Sequence, residues 1–183
     1  DRPDAEFVWI LDPIDGTKSF ISGRPTFGTL IALAHRGEPV LGVIDHPMLG
    51  ERWIGAAGHP TRHDGRPVRV RACPALDQAM MFASSPHYFD DIGAGAVFHR
   101  LRLAGRQILY GSDCYSYGLV ASGYGDLVIE ANLGIYDYLA AVPVIEGAGG
   151  VVTDWQGKPL TIRSGDRMMA AGDRRIHQQV LEI

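Results

Sequence analysis

"FVWILDPIDGTKSF", Phe7 to Phe20, carries an apolar run straight into two acids, a proline and a glycine. Phe7 to Leu11 reads as a short buried strand, and Asp12 and Asp15 stand at its mouth. Two readings follow from the same residue types. In one, Asp12 to Thr17 is a turn in which Asp15 caps a short helix starting at Thr17. In the other, Pro13 stiffens the turn so that Asp12, Asp15 and the Ile14 carbonyl point toward one place. Three hard oxygens suit Mg²⁺, which takes a few carboxylates, several waters and phosphate oxygens. Gly16 then lets the backbone approach closely, and the N–H groups at a helix start favour a phosphate. The Thr17 hydroxyl would orient an attacking water.

A covalent alternative is set aside on spacing. Haloacid-dehalogenase-type phosphatases carry D-x-D-G-T, whereas this chain has D-x-x-D-G-T. A downstream G-D-x-x-x-D also fails, because Gly165-Asp166 runs into Arg167-Met168-Met169-Ala170.

A metal site built on Asp12 and Asp15 wants another carboxylate from elsewhere. "DLVIEANLGIYDYLAAVPVIEGAGG", Asp126 to Gly150, offers one. Asp137 reads as the start of a helix over 136–146, whose Ala140, Ala141, Gly147 and Ala148 allow close packing, and Gly147 to Gly150 stops it. Glu130 ends a strand. Taken singly, Asp137 is a plain N-cap and Glu130 a surface acid. If strand and helix meet at a cleft, Asp137 completes the metal ligands and Glu130 reaches substrate.

Between these segments the chain reads as one unit, with no internal repeat, low-complexity tract or linker. Residues 26–35 and 39–46 form a strand pair through Arg36-Gly37-Glu38, and 52–57 and 67–72 extend that sheet. Residues 58–65 read as a polar turn, and 78–84 and 107–110 as further strands. A helix over 93–104 would put Val97, Leu101 and Ala104 on one face; 116–122 is a short helix. Strands at 126–130, 151–153 and 168–171 precede a last helix capped by Asp173. Hairpins dominate the first half, an antiparallel lobe to residue 110. Alternating strands and helices make 111–183 an α/β lobe, so layered α/β architecture is expected.

The 183 residues can bury one sizeable core, and 46% hydrophobic with 21% charged residues is ordinary for a globular chain. A net charge of −4 argues against nucleic acid or an anionic membrane as partner. No apolar run reaches the length of a membrane span, and 1–6 does not resemble a signal peptide. Cys73 and Cys114 fit no paired ligand spacing, so a reduced, cytoplasmic chain is expected. Cys114 reads as a packing residue with no base beside it. The histidines read as structural or solvated, and Trp9, Trp53 and Trp155 as packing aromatics. Lys18 and Arg24 are within reach of a phosphate or another subunit, with a solvated surface role as the plainer reading.

"WILDPIDGT" together with "YDYLAAVPVIEGAGG" resembles the two signatures of the inositol monophosphatase-like, Mg²⁺-dependent, lithium-sensitive phosphatases, from about Phe7 to the C-terminus. With "DGTKSFISGRPTFGTLIAL" and "GSDCYSYGLVASGYGDLVIE" it looks most like the bacterial histidinol-phosphate phosphatases, since inositol-type members more typically continue D-G-T-T-N-F. The resemblance implies an αβαβα sandwich, usually a homodimer, acting on a small phosphate ester without a phosphoenzyme. It implies two or three Mg²⁺ ions at Asp12, the Ile14 carbonyl, Asp15 and Asp137, and phosphate at Gly16 and Thr17. Asp113 and Glu130 fall where the family contacts the rest of the substrate, and two acids suit histidinol phosphate, whose amine and imidazole can be cationic. Asp113 is equally a turn former after Gly111-Ser112. An inositol or sugar phosphate is the alternative substrate.

One departure is expected to matter. The family has an N-terminal helical region and a Gly-Glu-Glu motif that supplies a further ligand; here eleven residues precede Asp12, and Glu6 is too close to substitute. Either that segment is missing from this sequence, which would expose apolar surface the helices cover, or the site is incomplete and the chain is a non-catalytic binding or regulatory relative.

Overall fold

A computed structural model describes residues 5–183. The first six strands form an antiparallel sheet in sequence order: β1 (Phe7–Asp15), β2 (Gly28–His35), β3 (Glu38–His46), β4 (Glu51–Ala56), β5 (His59–His63) and β6 (Arg66–Pro67). The other five form a mixed sheet of order β10-β11-β9-β7-β8. These are β7 (Met80–Ala83), β8 (Gln107–Tyr110), β9 (Leu127–Glu130), β10 (Val151–Thr153) and β11 (Met168–Ala171). The change of sheet therefore falls between Pro67 and Met80 rather than at residue 110. β7 and β8 pair in parallel with each other and join β9, not the hairpins.

Between the sheets lie α4 (Tyr115–Ala121), α5 (Ile135–Tyr138) and α6 (Ala141–Gly147). Leu30, Ala32, Ile44 and Trp53 from the first sheet and Phe82, Val128 and Met168 from the second share one buried cluster with these helices. The far side of the second sheet is covered by α2 (His87–Asp91), α3 (Gly95–Ala104) and α7 (Arg174–Leu181), through Phe89, Phe98, Leu101 and Ile176. Both faces of that sheet are thus buried, which is why β9 and β11 are apolar runs without alternation. Among the described residues no helix is long and apolar enough to cross a membrane.

β2 alternates strictly, with Leu30, Ala32 and Ala34 turned to the helices. Its other face continues into β1, where Phe7, Trp9 and Leu11 are 55%, 59% and 57% exposed. Trp9 pairs with Leu33 and Leu33 with Leu41; Leu11 pairs with Ile31, Ile31 with Val43 and Val43 with Ile54. An apolar stripe therefore lies open to solvent on the outer face. β1 was expected to be buried and Trp9 to pack; only Ile10 of Phe7–Leu11 is buried, because strand residues alternate and, among the described residues, helices lie against one face only.

Four local expectations change. Residues 58–65 hold β5, not only a turn, because Thr61 is fully buried and its hydroxyl donates to the Val144 carbonyl at 2.6 Å. The sheet stops at Pro67 instead of continuing to 72. The helix expected over 136–146 is two helices, since Pro143 has no N–H to give the Leu139 carbonyl. In α3 the inward residues are Phe98 and Leu101, while Val97 is largely exposed. Asp173 does cap α7, accepting from the Arg175 N–H at 2.9 Å.

Candidate metal centre and phosphate pocket

Asp12 and Asp15 are three residues apart, an odd separation that sends side chains to opposite faces of a regular strand. β1 departs from regularity there: Asp12 pairs with Leu30 and Asp15 with Gly28, so the chain carries one extra residue between them. This bulge turns both carboxylates to the same side. Asp12 Oδ1 accepts from the Ile14 N–H at 3.0 Å, and Thr29 holds the Pro13 carbonyl at 2.9 Å. Asp15 does not cap the following helix. Its Oδ2 accepts from the Cys114 N–H at 2.8 Å, and α1 (Thr17–Ile21) starts from Gly16 in a left-handed conformation with φ 77°. A Cβ on Gly16 would lie 2.7 Å from Asp113 Cγ, so the position excludes side chains on two grounds.

Asp137 is the third residue of α5 rather than its N-cap. Its Oδ2 reaches back to the Gly134 N–H at 2.7 Å, which fixes the side chain toward β1. Asp12, Asp15 and Asp137 each offer one carboxylate oxygen, and these oxygens all lie within 4.8 Å of one another. Among the described residues, no basic side chain sits between them. Burial pushes Asp15 up to about 7, with the charges of Asp113 and Asp137 adding to it against the Cys114 hydrogen bonds. Burial likewise raises Asp137 to about 6, and neighbouring Asp12 adds to the shift. Uncompensated, half-buried carboxylates of hard-oxygen character fit a divalent cation such as Mg²⁺.

One pocket is lined by Asp12, Ile14, Asp15, Gly16, Thr17, Asp113 and Asp137. Thr17 Oγ1 donates to the Ile14 carbonyl at 3.4 Å. Asp113, with φ 48°, is a turn former and also a pocket residue; its Oδ2 accepts from Ser19 Oγ at 2.5 Å. Glu130 is not brought to the pocket wall. It is 2% exposed and lies behind Ser84, whose N–H and hydroxyl both donate to Glu130 Oε1 at 2.7 and 2.9 Å. Burial raises its carboxyl to about 8, with Asp15 and Asp113 adding to the shift. Glu6 bonds Arg36 at 3.1 Å, at the far end of β1 from Asp12, and makes no approach to the acids.

The sequence reading missed Ser84, Tyr88, Asn132, Leu133 and Tyr136, which with Lys18 complete the pocket lining. Ser84 had a signal, since it follows an apolar strand, and ligands gather beyond the carboxyl ends of parallel strands. Lys18 is not simply solvated: its Nζ donates to Tyr88 OH at 3.1 Å, at the pocket. A base does stand near Cys114, because His46 Nε2 is 3.7 Å from its sulfur. Burial holds the thiol well above its ordinary value and the imidazole below its own, so this cysteine packs and is no thiolate.

A pH effect on stability follows. Asp137, Asp15 and Glu130 ionise later in the folded chain, at about 6, 7 and 8, than in the unfolded one. The stability they lend is complete below about pH 4 and is lost as pH rises through their folded values. Between about pH 7 and about pH 9, above the ordinary range of histidine, the metal-free melting temperature is expected to fall, and added Mg²⁺ to reverse the fall. A metal-free melting temperature that climbs across that range contradicts these carboxyl assignments.

Comparison with known proteins agrees with this architecture. The inositol monophosphatase family matches the chain over residues 1–183. The chloroplastic bifunctional phosphatase IMPL2 of Arabidopsis thaliana is 52% identical over 185 residues, covering 97% of this chain and 53% of that protein. A histidinol-phosphatase of Chlorobaculum parvum is 34% identical, covering 90% of this chain and 63% of its own. The chain thus spans little more than half to under two thirds of these curated relatives. The solved structure of an inositol monophosphatase from Zymomonas mobilis superposes with a TM-score of 0.96 at 48% identity, covering 99% of this chain and 71% of that one.

Proposed function

The chain belongs to the inositol monophosphatase family, and on that premise we propose a Mg²⁺-dependent phosphomonoesterase whose substrate is L-histidinol phosphate. The observation that carries the proposal is the convergence of Asp12, Asp15 and Asp137 beside Gly16 and Thr17. Asp12, Asp15, Asp137 and the Ile14 carbonyl would hold the cations. Bound there, Mg²⁺ supplies positive charge to the phosphoryl oxygens and makes water acidic enough to attack. The bare Gly16 leaves its backbone open to phosphate, and the Thr17 hydroxyl orients the water. Asp113, steadied by Ser19, offers negative charge to the alcohol half of the ester. Histidinol carries an amine and an imidazole, so an acidic wall suits it.

The histidinol-phosphatase name of the Chlorobaculum relative supports this substrate. The 48% identity to the Zymomonas inositol monophosphatase favours a second reading, an inositol monophosphate. The two are separated by steady-state kinetics on both esters with the gene product that carries this chain, supplied with Mg²⁺. The proposal expects kcat/KM for L-histidinol phosphate to exceed that for inositol 1-phosphate by about a hundredfold, the worth of one charged contact. The reverse order overturns it. A homodimer and a cytoplasmic location belong to the same proposal, the first checked by sedimentation.

A further inference from the structure

Among the described residues, Lys18 is the only basic side chain lining the acidic pocket. It stands on α1, three residues past Asp15, while Tyr88 stands on α2. Their contact therefore joins the helix that follows β1 to the helix that follows β7. Lys18 Nζ is 3.1 Å from Tyr88 OH and 4.9 Å from the centre of the ring. The direction of that bond is fixed by chemistry: an ammonium has protons and no lone pair, so the phenol oxygen accepts. The hydrogen bond to Tyr88, with the charges of Asp113 and Asp91 adding, raises the lysine above its ordinary value and keeps it an ammonium. One N–H is spent on Tyr88, and the others have no acceptor among the described residues.

Every other charged side chain around the pocket is a carboxylate, from Asp12, Asp15, Asp113 and Asp137. A lysine beside a centre that gathers cations is disfavoured by like-charge repulsion unless an anion lies between the two. Spare N–H donors at one corner and cation-gathering acids at another bracket such an anion, and a phosphoryl group has several oxygens to share between them. We propose that Lys18 is a further phosphate-binding residue, whose ammonium donates to a phosphoryl oxygen of the bound ester, with Tyr88 as the positioning residue that holds it at the pocket. The inference rests on the phosphomonoesterase reading above and deepens it, because it adds a residue that recognises the phosphoryl group whatever alcohol it is joined to. A merely solvated lysine would leave phosphate binding untouched.

The test uses the gene product carrying this chain, with inorganic phosphate as the calorimetric probe and Mg²⁺ present. Lys18→Met is expected to weaken phosphate binding about tenfold, between the worth of a screened ion pair and that of a buried charged hydrogen bond. The loss should narrow as salt is raised. Mg²⁺ binding without phosphate should stay the same or tighten, since a like charge has been removed. kcat/KM should fall by a similar factor for L-histidinol phosphate and p-nitrophenyl phosphate, which share only the phosphoryl group. Lys18→Arg should keep most of the affinity. Tyr88→Phe should cost about threefold in the parent and nothing further in Lys18→Met, the non-additivity of a single contact. Phosphate binding within about twofold of the parent in Lys18→Met, a loss that follows weaker Mg²⁺ binding, or a loss confined to one ester overturns the assignment while the phosphatase reading stands. A parent that binds phosphate but hydrolyses neither ester removes that reading, with Lys18 still decided by calorimetry; a parent that binds no phosphate removes both.

Discussion

Asp137→Asn is expected to lower Mg²⁺-dependent turnover by about a thousandfold or more, because one of three charges that gather the cation is removed. The fold should survive. The amide oxygen can still accept from the Gly134 N–H, the bond that Asp137 Oδ2 makes at 2.7 Å. The same argument covers Asp12→Asn, whose amide oxygen can keep the 3.0 Å bond from the Ile14 N–H. Calorimetry separates the metal from the chemistry: both variants should lose measurable heat of Mg²⁺ binding along with rate. Near-normal turnover in both would remove the reason to regard the three carboxylates as one centre. The neutral side chains should also relieve mutual repulsion, so the metal-free variants are expected to melt no lower than the parent.

The largest stability effect is expected far from that centre, at Gly42→Ala. α6 lies against β3 and β4 so closely that a Cβ on Gly42 would stand 2.0 Å from the Ala140 carbonyl oxygen, and one on Gly55 2.3 Å from that of Pro143. The obstacles are backbone atoms and have no rotamer to escape into. The variant must pry the helix from the sheet, at a cost of about 3 kcal/mol or more. For a chain of this size that lowers the melting temperature by roughly 6–12 °C. Gly165→Ala is the control, since nothing lies within 4 Å of its added Cβ. Equal melting of the two variants would show that the layers are not packed as described.

Where the sequence spoke clearly, one physical period governed a whole segment. β2 and β3 alternate because, among the described residues, one face of their sheet meets helices and the other does not, and alternation is visible in residue types alone. β5 was hidden because its residues are polar, and Thr61 is buried for the sake of a carbonyl supplied by α6. No local pattern announces a partner from so far along the chain. β1 looked like a buried strand because its residues are apolar; composition says which residues would prefer cover, not whether cover is present. The acids of the centre were legible as types and spacing. The position of Glu130 was not, since whether a strand's last residue faces a pocket or hides behind its neighbour depends on the pairing of β7 with β9.

The bulge in β1 makes the centre depend on arithmetic as much as on chemistry. Between the two acids, Pro13 and Ile14 contribute a spacing and a carbonyl, neither of which belongs to their side chains. Shortening the segment by one residue would keep both carboxylates yet swing one of them behind the sheet. Swapping the intervening side chain of Ile14 would leave both in view. Between the two acids, therefore, a change of side chain at Ile14 is expected to be borne better than a change in the number of residues.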